Sequence, residues 1–106
     1  MTSQIEMLSV SSEVVWRVAL ASAKSLGWVV ESADESHGIL KVSVPGGLRS
    51  WGESLEVQVE EVSDGRTKIT GRSAPKAQLL TWGKTEENLT CFFSALHRRL
   101  LANGGD

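Results

Sequence analysis

Between Leu55 and Arg72 apolar and polar side chains alternate with a period of two, interrupted once by turn-forming residues. Leu55, Val57 and Val59 alternate with Glu56, Gln58 and Glu60; Thr67, Ile69 and Gly71 then alternate with Lys68, Thr70 and Arg72. That pattern predicts an antiparallel hairpin with one face buried. A strict two-residue Asp64-Gly65 turn would set Ile69 against Glu60 and mix the faces. A three-residue Ser63-Asp64-Gly65 turn, with Gly65 in the left-handed conformation, keeps them apart. It opposes Val59 to Ile69 inside, and Glu60 to Lys68 and Glu56 to Arg72 outside. Turn chemistry, hydrophobic phase and charge pairing then agree.

A second hairpin is expected upstream, with Trp28 to Ala33 pairing with Ile39 to Val44 around Asp34-Glu35-Ser36-His37-Gly38. With Leu40, Val42 and Val44 facing inward beside Ser32, Val30 and Trp28, Glu31 falls opposite Lys41 outside. Val29, Ala33 and Ile39 share that outer face. Residues 4–10 alternate well enough for a first strand. Ser11 or Ser12 caps a helix running to about Leu26 and closed by Gly27. Its polar stripe is narrow (Glu13, Arg17 and Lys24), so most of it is expected to be buried against a sheet. Thr85 caps a last helix, with Glu86 and Glu87 at its positive end and His97, Arg98 and Arg99 near its negative end. Leu89, Phe92, Phe93, Leu96 and Leu100 recur at helical spacing as its buried stripe.

The element order is therefore β-α-β-β-β-β-α, an α+β fold with a four- to five-stranded antiparallel sheet covered on one face by two helices. This order resembles the half-domain of TATA-binding-protein-like folds and, more loosely, the helix-grip folds, in which an antiparallel sheet curves round a long C-terminal helix. The resemblance is one of topology alone. No motif carries it and no residue role transfers with it.

Length and composition change this picture little. The 106 residues make a single domain, 1–106, of common size. Such a chain buries roughly 65% of its unfolded surface without needing disulfides or metal. A net charge of −2 points to neither an acidic nor a basic partner. The single cysteine, Cys91, cannot form an internal disulfide, which fits a reducing compartment. The opening residues lack the basic and apolar regions of a signal peptide, and no apolar run approaches the ~20 residues of a membrane span. The expectation is a cytoplasmic protein that does not engage membranes.

Candidate chemistry is sparse. Cys91 and His97 lie six apart, about 240° round one helix, and cannot form a dyad within it. Cys91 reads as a small apolar residue flanking the core. No Gly-x-Ser-x-Gly elbow surrounds a serine. The two histidines and one cysteine lack metal-ligand spacing, and Asp34, Glu35 and His37 read as solvated turn residues, so neither metal nor cofactor is expected. Glu61 shares the phase of Leu55, Val57 and Val59; at a strand end it is expected to reach solvent, whereas burial would make it an acid–base candidate. The glycine-rich stretch Pro45 to Gly52 precedes a strand and matches no phosphate-binding pattern. Three acidic and three basic residues on the outer sheet face, with no aromatic, make nucleic acid a poor fit.

The tryptophans carry the remaining signal. Trp16 and Trp28 are expected in the core. Trp51 and Trp82 instead lie in irregular stretches, each preceded by a hydroxyl residue and followed by glycine, with Leu48 or Leu79 and Leu80 nearby. Apolar residues on loops need cover from the core, a ligand or a partner. Leu48, Trp51, Leu79 and Trp82, rimmed by Arg49, Lys76, Gln78 and Lys84, form the candidate binding surface. Gly71, opposite Val57 on the inner face, leaves space for a neighbouring side chain or a small pocket. The expected function is a non-catalytic binding or interaction module using loops 45–52 and 74–84. Its target would be a small amphipathic ligand, a protein partner or its own copy in a homodimer, through these loops or an open sheet edge. The alternative is a small enzyme with a pocket between sheet and helices using Glu61, His37 or Cys91, which requires at least two of them to line one cavity.

Overall fold

A computed structural model of the chain describes residues 2–45, 52–75 and 84–104. Among them lie β1 (Thr2–Leu8), α1 (Ser12–Ser25), β2 (Val29–Asp34), β3 (Ile39–Val44), β4 (Glu53–Ser63), β5 (Arg66–Pro75) and α2 (Lys84–Gly104). The strands form one antiparallel sheet in the order β1-β5-β4-β3-β2, with both helices on the same face. This is the expected α+β architecture, with β1 and β2 as its edge strands among the described residues.

The β4–β5 hairpin has the expected register by a different device. Val59 faces Ile69, Glu60 faces Lys68 and Glu56 faces Arg72. Lys68 Nζ lies 3.9 Å from Glu60. The loop, however, is only Asp64-Gly65, with Gly65 at φ +74°. Ser63 pairs with Arg66, and a bulge between Glu61 and Ser63 absorbs Val62. That extra residue does the work expected of a three-residue turn: it restores the phase a two-residue turn would have lost.

The β2–β3 hairpin departs further from expectation. Val30 faces Val42 as anticipated, but the register shifts between Val30 and Ser32. Glu31 is the bulged residue, Lys41 pairs with Ser32, and Ala33 pairs with Leu40. Ser32 thus leaves the inner face and Ala33 joins it. An edge strand has only one neighbour to satisfy, so such a slip costs little there. Lys41 finds its acid on the other side, opposite Glu56, which in turn lies opposite Arg72. A row of alternating charge, Lys41–Glu56–Arg72, therefore crosses the outer face.

The inner face supplies Leu40, Val42, Val44, Leu55, Val57, Val59 and Ile69, all buried against both helices. From α1 come Val15, Trp16, Val18, Ala19 and Ala23; from α2 come the five residues of its stripe. Trp28 is half-buried against this cluster. Phe92 and Phe93 meet edge-to-face, with centroids 5.5 Å apart. The space at Gly71 is filled: a Cβ there would lie 3.0 Å from both Leu89 Cδ2 and Phe93 Cε2. No pocket opens on that residue.

Local signals place the helices. Ser11 caps α1, its side chain accepting from Val14 N at 3.4 Å. At the other end Gly27 takes φ +78°; its N–H donates to Lys24 O and that of Trp28 to Ala23 O. That pair of bonds is the Schellman termination. α2 begins at Lys84, so Thr85 lies inside the helix and is not its cap.

Gly38 ties the β2–β3 turn to β4. Its carbonyl accepts from Val59 N at 2.8 Å, its φ is +68°, and a Cβ would clash with the Val59 carbonyl oxygen. Gly65 shares the sign of φ but has open space around it. Gly38→Ala should therefore cost about 3 kcal/mol, left-handed strain (roughly 1–2 kcal/mol) and backbone clash acting together. Gly65→Ala should cost only the strain, about 1 kcal/mol. Urea unfolding of both variants measures the difference.

Candidate functional site

One end of the sheet brings together the strand termini that flank residues 46–51 and 76–83. Val44 at the end of β3 pairs with Glu53 at the start of β4, which pairs with Pro75 at the end of β5. Leu48, Arg49, Trp51, Lys76, Gln78, Leu79 and Trp82 lie outside the described residues. Lys84 opens α2, and its side chain is likewise outside them.

What this end does contain is a buried acid. Glu53 shares the phase of Leu55 and Val57, faces inward and is only 1% exposed. Its Oε1 accepts from Asn88 Nδ2 on α2, and it has a further polar interaction. A carboxylate placed on the apolar face loses its hydration, so these partners are what make the position tolerable. Its signal in the sequence was its parity with Leu55. Glu61 shares that parity at the other end of β4.

The opposite end holds an open cavity of about 250 Å³. Ser12, Glu13 and Trp16 of α1, the turn residues Glu35 to Gly38, and Val59 and Glu61 of β4 line it. Two of the three candidate reactive residues, His37 and Glu61, thus share a cavity. Cys91 is not among its lining residues. Glu61 is exposed, as its strand-end position implied, and accepts from Ser12 Oγ at 3.2 Å. The α1 N-terminus, with its positive dipole end, stabilises the nearby carboxylates.

Asp34 organises the turn. It accepts from Ser36 Oγ at 2.7 Å and from the His37 backbone N–H at 3.3 Å, and His37 Nδ1 lies 2.8 Å from its other oxygen. The Ser36 hydroxyl, then the His37 ring, hold the Asp34 carboxyl below the usual carboxylate range. Ser36 Oγ also lies 3.3 Å from Nδ1, on the side of the ring that faces the acid. A catalytic serine would approach the other ring nitrogen, so this network is a turn motif and not a nucleophilic triad.

The remaining candidates disperse. Cys91 is exposed, not packed beside the core, because it falls on the side of α2 opposite the Leu89–Phe93 stripe. His97 Nε2 meets Glu6 Oε1 at 2.6 Å, joining α2 to β1. Among the described residues no group of three or more His, Cys, Asp or Glu side chains is placed to hold a metal ion. No helix among them is long and apolar enough to cross a membrane.

No protein-family model matches the chain, and no curated protein sequence does. Solved structures do resemble it. The crystal structure of Ara h 8.0201 superposes with a TM-score of 0.64 at 10% identity, covering 95% of this chain and 97% of that one. An uncharacterized protein from Bacillus thuringiensis superposes with a TM-score of 0.58 at 14% identity, covering 94% and 98%. Both share with this chain the α+β architecture of an antiparallel sheet with two helices. Identities this low carry the fold alone and nothing of the site.

The Asp34 network has a pH consequence. Its folded-state carboxyl titrates below the unfolded one, so its contribution is complete at neutral pH and fades as pH falls through the carboxylate range. Asp34→Asn should remove that part of the acid sensitivity while leaving the sheet intact. Amide exchange of residues 35–38 against pH, in both proteins, reads it directly.

Proposed function

We propose that the chain is a small non-catalytic binding or interaction module, one domain spanning 1–106, whose contact surface lies at the Glu53 end of the sheet. The observation that carries this is the pairing of Val44 with Glu53 and of Glu53 with Pro75. It sets Val44, Glu53 and Pro75, the described residues nearest the two tryptophan-bearing stretches, on adjacent strands, which supports assigning Trp51 and Trp82 to one contact surface. The filled space at Gly71 supports the same choice, since α2 leaves no room for a ligand there. The surface would take a small amphipathic molecule, with Leu48, Trp51, Leu79 and Trp82 as its apolar part. Arg49, Lys76, Gln78 and Lys84 would orient an anionic head. An exposed free Cys91 thiol fits a reducing, cytoplasmic setting.

The enzyme alternative retains one favourable observation, the cavity shared by His37 and Glu61. Against it, both side chains are exposed, Cys91 is not among the lining residues, and the Ser12 and Ser36 hydroxyls there are engaged with Glu61 and Asp34. Binding is the better account.

Titration with 8-anilinonaphthalene-1-sulfonate, an anionic amphipathic probe, tests the proposal. The native chain should enhance its fluorescence saturably. Trp51→Ala and Trp82→Ala should each weaken binding roughly tenfold, as expected for an aromatic anchor worth about 1–2 kcal/mol, with unchanged circular dichroism. Unaltered probe binding in both variants, or loss of the fold in both, would overturn it.

A further inference from the structure

The two edges of the sheet are not equally protected. β2 carries a bulge at Glu31 and acidic side chains at Glu31 and Asp34, features that discourage pairing with another strand. β1 has no bulge, and its one charged side chain, Glu6, is already engaged by Gln4 and His97. It pairs with β5 in unbroken register from Thr2 to Leu8 and contains no proline, lysine or bulge. Its other edge offers a row of backbone donors and acceptors.

Apolar surface gathers at the same edge. Ile5 is 58% and Met7 47% exposed, both on the outer face of β1. On the helical side, His97 bonds Glu6, which fixes that flank of α2 over β1. Leu101, one turn on from His97 and 82% exposed, lies on the same flank. Three of the five large apolar side chains exposed among the described residues therefore border one strand.

We propose that β1 is a self-association edge. A second copy of the chain adds its own β1 antiparallel, joining two sheets into one, with Ile5 on the two-fold axis. In that register Ile5 faces the partner's Ile5, and Ser3 faces the partner's Met7. On the inner face Gln4 lies opposite the partner's Glu6. Gln4 Nε2 already donates to Glu6 within the chain at 2.8 Å, so amides and carboxylates alternate across the axis. Shifting the axis to Glu6 would oppose two carboxylates, and charge complementarity selects the Ile5 register. Backbone pairing supplies the attraction, and burial of Ile5, Met7 and Leu101 on both sides excludes water from it. The proposal gives the self-association of an interaction module a definite surface, independent of the tryptophan segments.

Light scattering over micromolar to millimolar concentrations should show a monomer–dimer equilibrium. Ile5→Lys, at an exposed site that tolerates it, should weaken dimerisation roughly tenfold or more by setting two like charges opposite each other. Val29→Lys, on the opposite edge, should leave it unchanged. In a Cys91→Ser background, Ile5→Cys should oxidise to a disulfide dimer and Ser3→Cys should not, whereas Ser3→Cys combined with Met7→Cys should. Alternate β1 amides should gain exchange protection as concentration rises. A chain that stays monomeric throughout, or a dimer indifferent to Ile5→Lys, overturns the proposal. Loss of probe binding in the tryptophan variants with the mass unchanged would separate the two surfaces.

Discussion

Register is the constraint from which the rest of this molecule follows. In a sheet covered on one side, slipping a strand by one residue turns all its apolar side chains toward water. Here Leu40, Val42 and Val44 must share a face with Leu55, Val57, Val59 and Ile69, because the stripes of both helices pack there. The two-residue Asp64-Gly65 turn alone would violate that requirement. The bulge at Val62 meets it, leaving Val62 itself exposed as the local cost. Gly71 belongs to the same solution, since only a residue without a side chain admits both Leu89 and Phe93 against β5.

Filling the interior moves the available chemistry to the two ends of the layer. At one end, Asp34 draws Ser36 and His37 into a closed turn, and Gly38 fastens that turn to β4 beside Glu61. The result is a polar, open cavity whose groups are occupied with holding the turn. At the other end, Glu53 is buried where three strand termini meet, held by Asn88 from α2. A buried acid demands fixed partners, so it pins the start of β4 to the last helix at the point from which both tryptophan-bearing segments extend.

The outer face follows a different economy. Lys41, Glu56 and Arg72 alternate across three strands, and Glu60 meets Lys68, so charges of opposite sign neighbour one another over the middle of the sheet. Apolar exposure is displaced to the margins, with Ile5 and Met7 on β1 and Val29 on β2. Only β2 is bulged. That asymmetry gives the sheet one guarded edge and one open one.

Much of the architecture was legible in the residues themselves. Period-two alternation marked the central strands, the Leu89–Leu100 stripe marked α2, and Ser11 and Gly27 bounded α1, because each signal depends on neighbours close in the chain. The charge pairs Glu60–Lys68 and Glu56–Arg72 followed from a single hairpin. Other features depended on contacts distant in sequence. The Glu31 bulge, which broke the expected Glu31–Lys41 pair, follows from β2 lying at an edge, and strand order is settled only when the sheet assembles. Glu53 became a buried acid only because α2 supplies Asn88 across 35 positions of sequence. Cys91 proved exposed because the rotation of α2 is set by packing on Gly71. The local pattern of the chain thus determined which elements form and which faces they bury; assembly decided which edges, acids and cavities remained, because those depend on the neighbours each element meets.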